Sequence, residues 1–360
     1  MAERLVSLLI RPSACSTVPM SLLFVREAGV DVLSDVLRVV RLTGAIFFDV
    51  EARAPWVATT PEAVSISGKV MPQSEHVIMF HAIISGGCWA ELLDDSMLPM
   101  RLETGDIIVL PMGDAHVLCS KPGMRTEANI EQYRRPTDRS LPIVISGIGG
   151  DGAEQAHFVC GYLGCDTRPF NPVLRALPRV LIAHAMDGVG CMTQLIRLAV
   201  DESTTRRSGG ESVLSRVAEL MFVDVVRRHV DTLPKDARGW LSGLRDPHIG
   251  TALALMHSQP GDDWTLERLA REVGLSRSVF ADRFAHFMQE APMHYLTRWR
   301  MQLASHLLER QGVSVAQVAA EVGYESEAAF NRAFKRAIGK PPAQWRSRVA
   351  SGDSPGRVVD

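Results

Sequence analysis

Two groups of residues in this 360-residue chain have types and spacings suited to chemistry. The first comprises Arg277, Ser278, Asp282 and Arg283 in one segment, and Ser326, Glu327, Asn331, Arg332, Lys335 and Arg336 in another. Arginine and asparagine carry forked polar groups that match guanine and adenine edges, lysine and arginine suit phosphate oxygens, and an acid can accept from a cytosine amino group. The second group is His81, His116, Cys160 and Cys165, imidazoles and thiols of the kind a zinc ion takes. Buried small residues or a thiol redox switch account for the cysteines as well, because C-x4-C is not diagnostic. If Cys160 and Cys165 fall on opposite faces of a strand, they cannot share a metal.

The elements that must position the first group form a repeat. WTLERLAREVGLSRSVFADRFAHFMQEAPMHY (264–295) aligns with VSVAQVAAEVGYESEAAFNRAFKRAIGKPPAQW (313–345). Ala270 and Gly274 match Ala319 and Gly323 at an offset of 49, while Phe280, Phe284 and Pro292 match Phe330, Phe334 and Pro342 at 50. One residue is therefore inserted in the second turn. Thr265 is placed to cap a first helix, and Ser314 with Gln317 spells a capping box. The small Ala270 and Ala319 allow close helix crossing, and each glycine can take the left-handed turn conformation. A second helix follows, capped by Ser276 or Ser326, with phenylalanines at i, i+4 turned inward and the polar set outward.

This reads as two helix-turn-helix units. YLTRWRMQLASHLL (295–308) joins them, with Leu296, Trp299, Leu303 and Leu307 able to pack on both. Recognition helices about 34 Å apart would enter successive major-groove segments. An amphipathic bundle shares the apolar periodicity, but not the paired caps, turn glycines and polar faces.

The elements around the second group are different. Asp31 onward (VLSDVLRVVRL) predicts a short helix that covers a sheet. Between 43 and 185, runs such as GAIFFDVEA, HVIMFHAII, GDIIVLP and HFVCGYL predict an antiparallel barrel, with 124–141 a surface loop. After Pro178 the pattern turns helical, around 191–202 and from Glu211 to about Val230. The second helix has a wide apolar face, read either as core packing or as a helix-pairing dimer interface.

Composition sets the bounds. The whole chain carries a net charge of −2, but residues 261–350 hold 13 Lys and Arg against 10 Asp and Glu, so the basic part is C-terminal. Six cysteines are too few for a disulfide scaffold, no secretory signal is evident, and no run of about 18 apolar residues exists. These features point to the cytoplasm and away from a membrane.

The C-terminal residues Trp264-Thr265, Leu269-Ala270, Gly274-Leu275-Ser276, Phe284, Pro292, Tyr295-Leu296, Trp299-Arg300-Met301, Ala319, Val322-Gly323-Tyr324, Phe330, Phe334 and Pro341-Pro342 resemble the AraC-type bacterial transcription regulators. Residues 31–56, 105–118 and 160–178 resemble the cupin-type domain of one branch of that family. The resemblance implies a β-barrel that modulates the DNA-binding half, usually in a dimer. Gly105, Pro111, Gly113 and His116 reproduce the second cupin motif. The first is absent: only His76 and His81 lie on the preceding strand run.

The expected architecture is therefore an α+β multidomain chain. It has a loose extension (1–30), a cupin-like β-barrel (31–183), a helical linker and possible dimer region (184–245), an all-α tandem helix-turn-helix domain (246–348) and a disordered tail (349–360). The expected function is sequence-specific binding of double-stranded DNA by a homodimer under an unknown effector. No cofactor is required, although zinc at the second group is an option. The rival is a metal-dependent cupin enzyme with a DNA-binding appendage, which lacks half its ligand motif. DNA-alkylation repair lacks a Pro-Cys-His-Arg acceptor, and a protein adaptor would not show salt-sensitive binding.

Overall fold

The computed structural model describes residues 31–135, 141–185, 191–205, 207–234, 236–310 and 312–350. The extension 1–30 and residues 351–360 of the tail lie outside the described residues; helix α13 (Pro342–Ala350) runs into the segment read as tail.

The N-terminal elements are α1 (Val32–Val39), β1 (Thr43–Arg53), β2 (Val57–Thr60), α2 (Ala63–Val70), β3 (His76–Leu92), β4 (Met100–Glu103), β5 (Ile107–Leu110) and β6 (His116–Cys119). After a 3-10 turn (Ile130–Tyr133) come β7 (Ile143–Gly149), β8 (Gln155–Cys165), α3 (Pro172–Ala176) and β9 (Leu181–Ala183). The sheet order is β2-β6-β3-β8-β1-β7, with β4 and β5 also on β3, and β9 on β5. Pairing is antiparallel except for edge strand β7, which runs parallel to β1, a departure from the purely antiparallel expectation.

The long β3 makes the sheet curl. Its first half pairs with β5 and its second with β4 and β6, and the register with β8 shifts between Ile83 and Ser85. Such a bulge bends a strand and lets it serve two sheets. Gly86, beside it, has φ +73°, and a Cβ there would sit 1.9 Å from the Gln155 carbonyl oxygen, so no other residue fits.

Both faces of this sheet are buried, which explains its near-continuous apolar runs. On β8, Phe158, Cys160 and Tyr162 face the concave interior, while Val159, Leu163 and Cys165 face the helices. The segment expected to be a surface loop is not one throughout. Tyr133 is 3% exposed and packs edge-on to Phe48 and Tyr162, plugging the concave side. Its apolar partner sat too far away in sequence to leave a periodic trace.

Helices α4 (Cys191–Thr205) and α5 (Gly210–Thr232) cover the other side, α5 lying against β1, β8 and β9. Leu214, Val217, Met221, Phe222, Val225 and Val226 are buried there, so the core-packing reading accounts for most of the wide apolar face. Helix α1 does not act chiefly as a sheet cover. Val32, Val36 and Val39 are buried where it packs against α3, α7 (Pro247–Ser258) and α10 (Pro292–Leu307).

The C-terminal elements are α6 (Trp240–Arg245), α7 (Pro247–Ser258), α8 (Leu266–Glu272), α9 (Arg277–Met288), α10 (Pro292–Leu307), α11 (Val315–Glu321), α12 (Glu327–Ile338) and α13. One apolar core runs from the sheet's helix side through α1, α4 and α5 to Leu269, Phe280, Phe284 and Trp299. A separate core holds Met301, Leu307, Val318, Phe330, Phe334 and Trp345. Leu303 on α10 borders both.

Candidate nucleic-acid interface and barrel cavity

Both helix-turn-helix units are built by the local chemistry read from the sequence. In the first, Thr265 Oγ1 accepts from Arg268 N at 3.1 Å and Ser276 Oγ accepts from Val279 N at 3.4 Å. In the second, Gln317 N donates to Ser314 Oγ at 3.1 Å while Gln317 Oε1 accepts from Ser314 N at 2.8 Å, completing the capping box. Ser326 Oγ accepts from Ala329 N at 3.2 Å, so that side chain is committed to its cap. Gly274 and Gly323 have φ of +69° and +77°. The same backbone bond closes both turns, Leu275 N to Ala270 O and Tyr324 N to Ala319 O, each 2.9 Å. Phe280, Phe284, Phe330 and Phe334 are fully buried, and each such burial contributes roughly 1.5–3 kcal/mol.

The outward faces differ. On α12, Glu327, Arg332, Lys335 and Arg336 are exposed and Asn331 is half-buried. Among the described residues, the side chains of Asn331, Arg332, Lys335 and Arg336 have no hydrogen-bond or ion-pair partner. On α9, Ser278 and Asp282 are exposed, but the arginines are engaged. Arg277 Nε lies 2.8 Å from Glu267 in a solvent-exposed pair, worth little and readily broken. Arg283 Nε donates to both carboxylate oxygens of Asp246, at 3.1 and 3.0 Å. Asp246 also caps α7, accepting from His248 N and Ile249 N, and these donors hold its carboxyl below the usual range despite burial. Arg283 thus ties α9 to α7 as a strut through a partner 37 positions away, which left no local signature in the sequence. Val279, half exposed on α9, was not among the expected contacts; an apolar side chain there can meet a thymine methyl.

In the β domain, His81, His116 and Cys160 converge and Cys165 does not. Cys165 points to the helix side and accepts from Asn171 Nδ2 at 3.7 Å, five residues and one face away from Cys160. His81 Nδ1 lies 2.9 Å from Cys160 Sγ, and His81 Nε2 lies 2.6 Å from His116 Nε2. His116 Nδ1 is 2.8 Å from the Asp114 carbonyl oxygen, which as an acceptor makes it the protonated nitrogen. The result is a relay, with partners on opposite edges of the His81 ring, rather than three donors around one point. Two nitrogens sharing a tetrahedral zinc stand about 3.3 Å apart, so the set does not fit the ion. Among the described residues, no three or more His, Cys, Asp or Glu side chains are grouped to hold a metal. Burial drives His81 well below the ordinary imidazole value, drives His116 down to about 4, and pushes the Cys160 thiol up. Burial thus favours the neutral form of all three.

The relay borders a cavity of about 160 Å³ lined in part by Phe48, Thr60, Glu127, Tyr133, Phe158 and Tyr162. It is mostly apolar with a few polar groups, the usual make-up of a small-molecule site.

The β domain sits directly on α10. Phe170 N donates to Gln302 Oε1 at 2.9 Å, the Phe170 ring is edge-on to Tyr295 at 5.5 Å, and the Arg298 guanidinium lies 3.9 Å above it. Arg41 binds Asp166 and reaches Glu309 just past the end of α10. Behind this contact, Tyr295 Oη accepts from Trp240 Nε1 at 2.8 Å and lies 2.9 Å from His257 Nε2.

Known proteins share both halves. Residues 31–231 match the cupin family and residues 269–348 match a helix-turn-helix domain family. An AraC-like transcription regulator of Streptomyces lividans is 32% identical over 271 residues, 75% of this chain and 86% of its own. The HTH-type transcriptional regulator AlkR of Acinetobacter baylyi is 30% identical over 283 residues, 76% of this chain and 89% of its own. No helix among the described residues is long and apolar enough to cross a membrane. The chain belongs to the AraC-type DNA-binding transcription regulators that carry a cupin-like domain ahead of their helix-turn-helix domain.

Proposed function

We propose that the two units read adjacent major-groove segments unequally: α12 through Asn331 and Arg332, with Lys335 and Arg336 on phosphates, and α9 through Ser278, Val279, Asp282 and a released Arg277. The unpaired cationic face of α12 carries this reading. A titration of the full chain on duplex DNA against salt tests it. Affinity falls steeply with rising salt, and Lys335→Ala with Arg336→Ala lowers the slope by about 2. An unchanged slope in the double variant refutes the assignment.

The effector is a small, largely apolar molecule in the cavity beside Tyr133. Its occupancy acts through β8, which lines the cavity at Cys160 and Tyr162 and delivers Asp166 and Phe170 to α10. Helices α4 and α5, which pack on the sheet, lie outside this route. Those helices keep a different role: Leu198, Val213 and Leu220 are exposed on α4 and α5 and form the homodimer face. The chain works in the cytoplasm and catalyses no reaction. A neutral His-His-Cys relay that does not fit a metal supports regulation over the cupin-enzyme alternative.

A further inference from the structure

Arg300 belongs to neither reading face. It lies near the middle of α10 and sends its guanidinium to three carbonyls on two different units. Nε donates to Pro260 O at 2.7 Å and Nη2 to Asp262 O at 2.7 Å, both in the loop that enters the first unit. Nη1 reaches Gly323 O at 3.4 Å, in the turn of the second. The two backbones touch beside it. A Cβ on Gly261 would lie 2.7 Å from Glu321 O, and one on Gly323 would lie 2.7 Å from both Gly261 O and Arg300 Nη2. The corresponding glycine of the first unit, Gly274, has open space around its Cβ position. Gly274 is needed only for its backbone angle, whereas Gly323 is needed for that and for this junction.

Outside this junction the units have separate cores and share the single rod of α10, about 24 Å long, on which each could tilt. We infer that Arg300, with the Gly261–Gly323 contact, is a positioning residue that sets the spacing and angle between the two recognition helices, and through them the spacing of DNA segments the chain accepts. A guanidinium suits the task because its planar donors reach several carbonyls in fixed directions, which an ammonium cannot do. The inference rests on the proposal that both units read DNA.

The test uses the full chain and duplexes it recovers from a random 30-base-pair library. The recovered duplex is then rebuilt with one base pair added to or removed from the spacer between its two segments. Wild type loses about tenfold or more in affinity for either change, since one pair turns the second segment by about a tenth of a helical turn. Arg300→Ala loses less than about threefold, although it binds the parent duplex more weakly, and Arg300→Lys behaves like it despite keeping the charge. Gly261→Ala, which wedges the same junction apart while leaving the Arg300 side chain present, moves the preferred spacer. Those variants cover the case in which Arg300→Ala does not fold. A uniform affinity loss with the spacer penalty intact in all folded variants overturns the inference. Recovery by wild type of only a single short segment overturns the reading beneath it.

Discussion

The two helix-turn-helix units have hydroxyl caps at matching positions, the same turn bond and the same phenylalanine pair, yet they are embedded differently. The first shares an uninterrupted apolar core with the β domain, its Arg283 is tied down by Asp246, and its Arg277 is paired loosely with Glu267. The second has its own core, and its cations are free of protein partners among the described residues. Identical local architecture thus serves two tasks. The first unit couples the DNA-binding half to the sensor, and the second is a self-contained reader. What separates them is long-range contact, which the repeat itself does not encode.

The largest effect expected from this contrast is on stability. Phe284→Ala and Phe334→Ala each remove about 3–5 kcal/mol of packing. Hydrogen exchange should show Phe334→Ala melting α11 to α13 alone, and Phe284→Ala loosening α1, α6 and α7 as well as its own unit. Equal, local effects would mean the cores are not differently joined. Next in size is the effect on DNA affinity. Arg332→Ala should cost about tenfold on a recovered duplex and relax base preference at one segment, whereas Arg277→Ala should cost less than about threefold. The reverse order would reassign the principal reader.

A smaller effect is expected at the strut. Asp246→Ala loses an N-cap, about 1 kcal/mol, and frees Arg283 to reach DNA, so thermal stability falls while base preference in the first segment changes. Arg283→Ala leaves that preference unchanged; a changed preference would restore Arg283 as a reader. The smallest effect concerns pH. Burial, reinforced by Asp166 and Glu75, raises the Glu309 carboxyl to about 7, and Arg41 offsets this only in part because it chiefly serves Asp166. A free glutamate titrates near 4.3, so the docked state holds the proton more tightly. Docking on α10 is strongest below about pH 4.3 and weakens as pH rises through 7. Protection of the Phe170 amide relative to Glu309→Gln should therefore fall between pH 6 and 8; a constant ratio would exclude the effect.

The sequence made the local structure legible and left the long-range structure hidden. Caps at Thr265, Ser276, Ser314 and Ser326, the two turn glycines, the inward phenylalanines and the strand runs could be read because each depends on neighbours within about four positions. Tyr133 as a barrel plug, Arg283 held by Asp246, α1 against α10 and the Arg300 junction could not. Each depends on partners dozens to hundreds of residues away. The parity of Cys160 and Cys165 on one strand was the single available signal against the four-ligand zinc set. A five-residue separation within a strand puts side chains on opposite faces.

Hydroxyl-radical footprinting of the full chain on a recovered duplex, alongside its Asn331→Ala, Arg332→Ala variant, tests the unequal two-unit reader most directly. Wild type should protect two segments about one helical turn apart, and the variant should lose protection at one segment while keeping the other. A single protected segment in wild type, or simultaneous loss of both in a folded variant, would contradict the account.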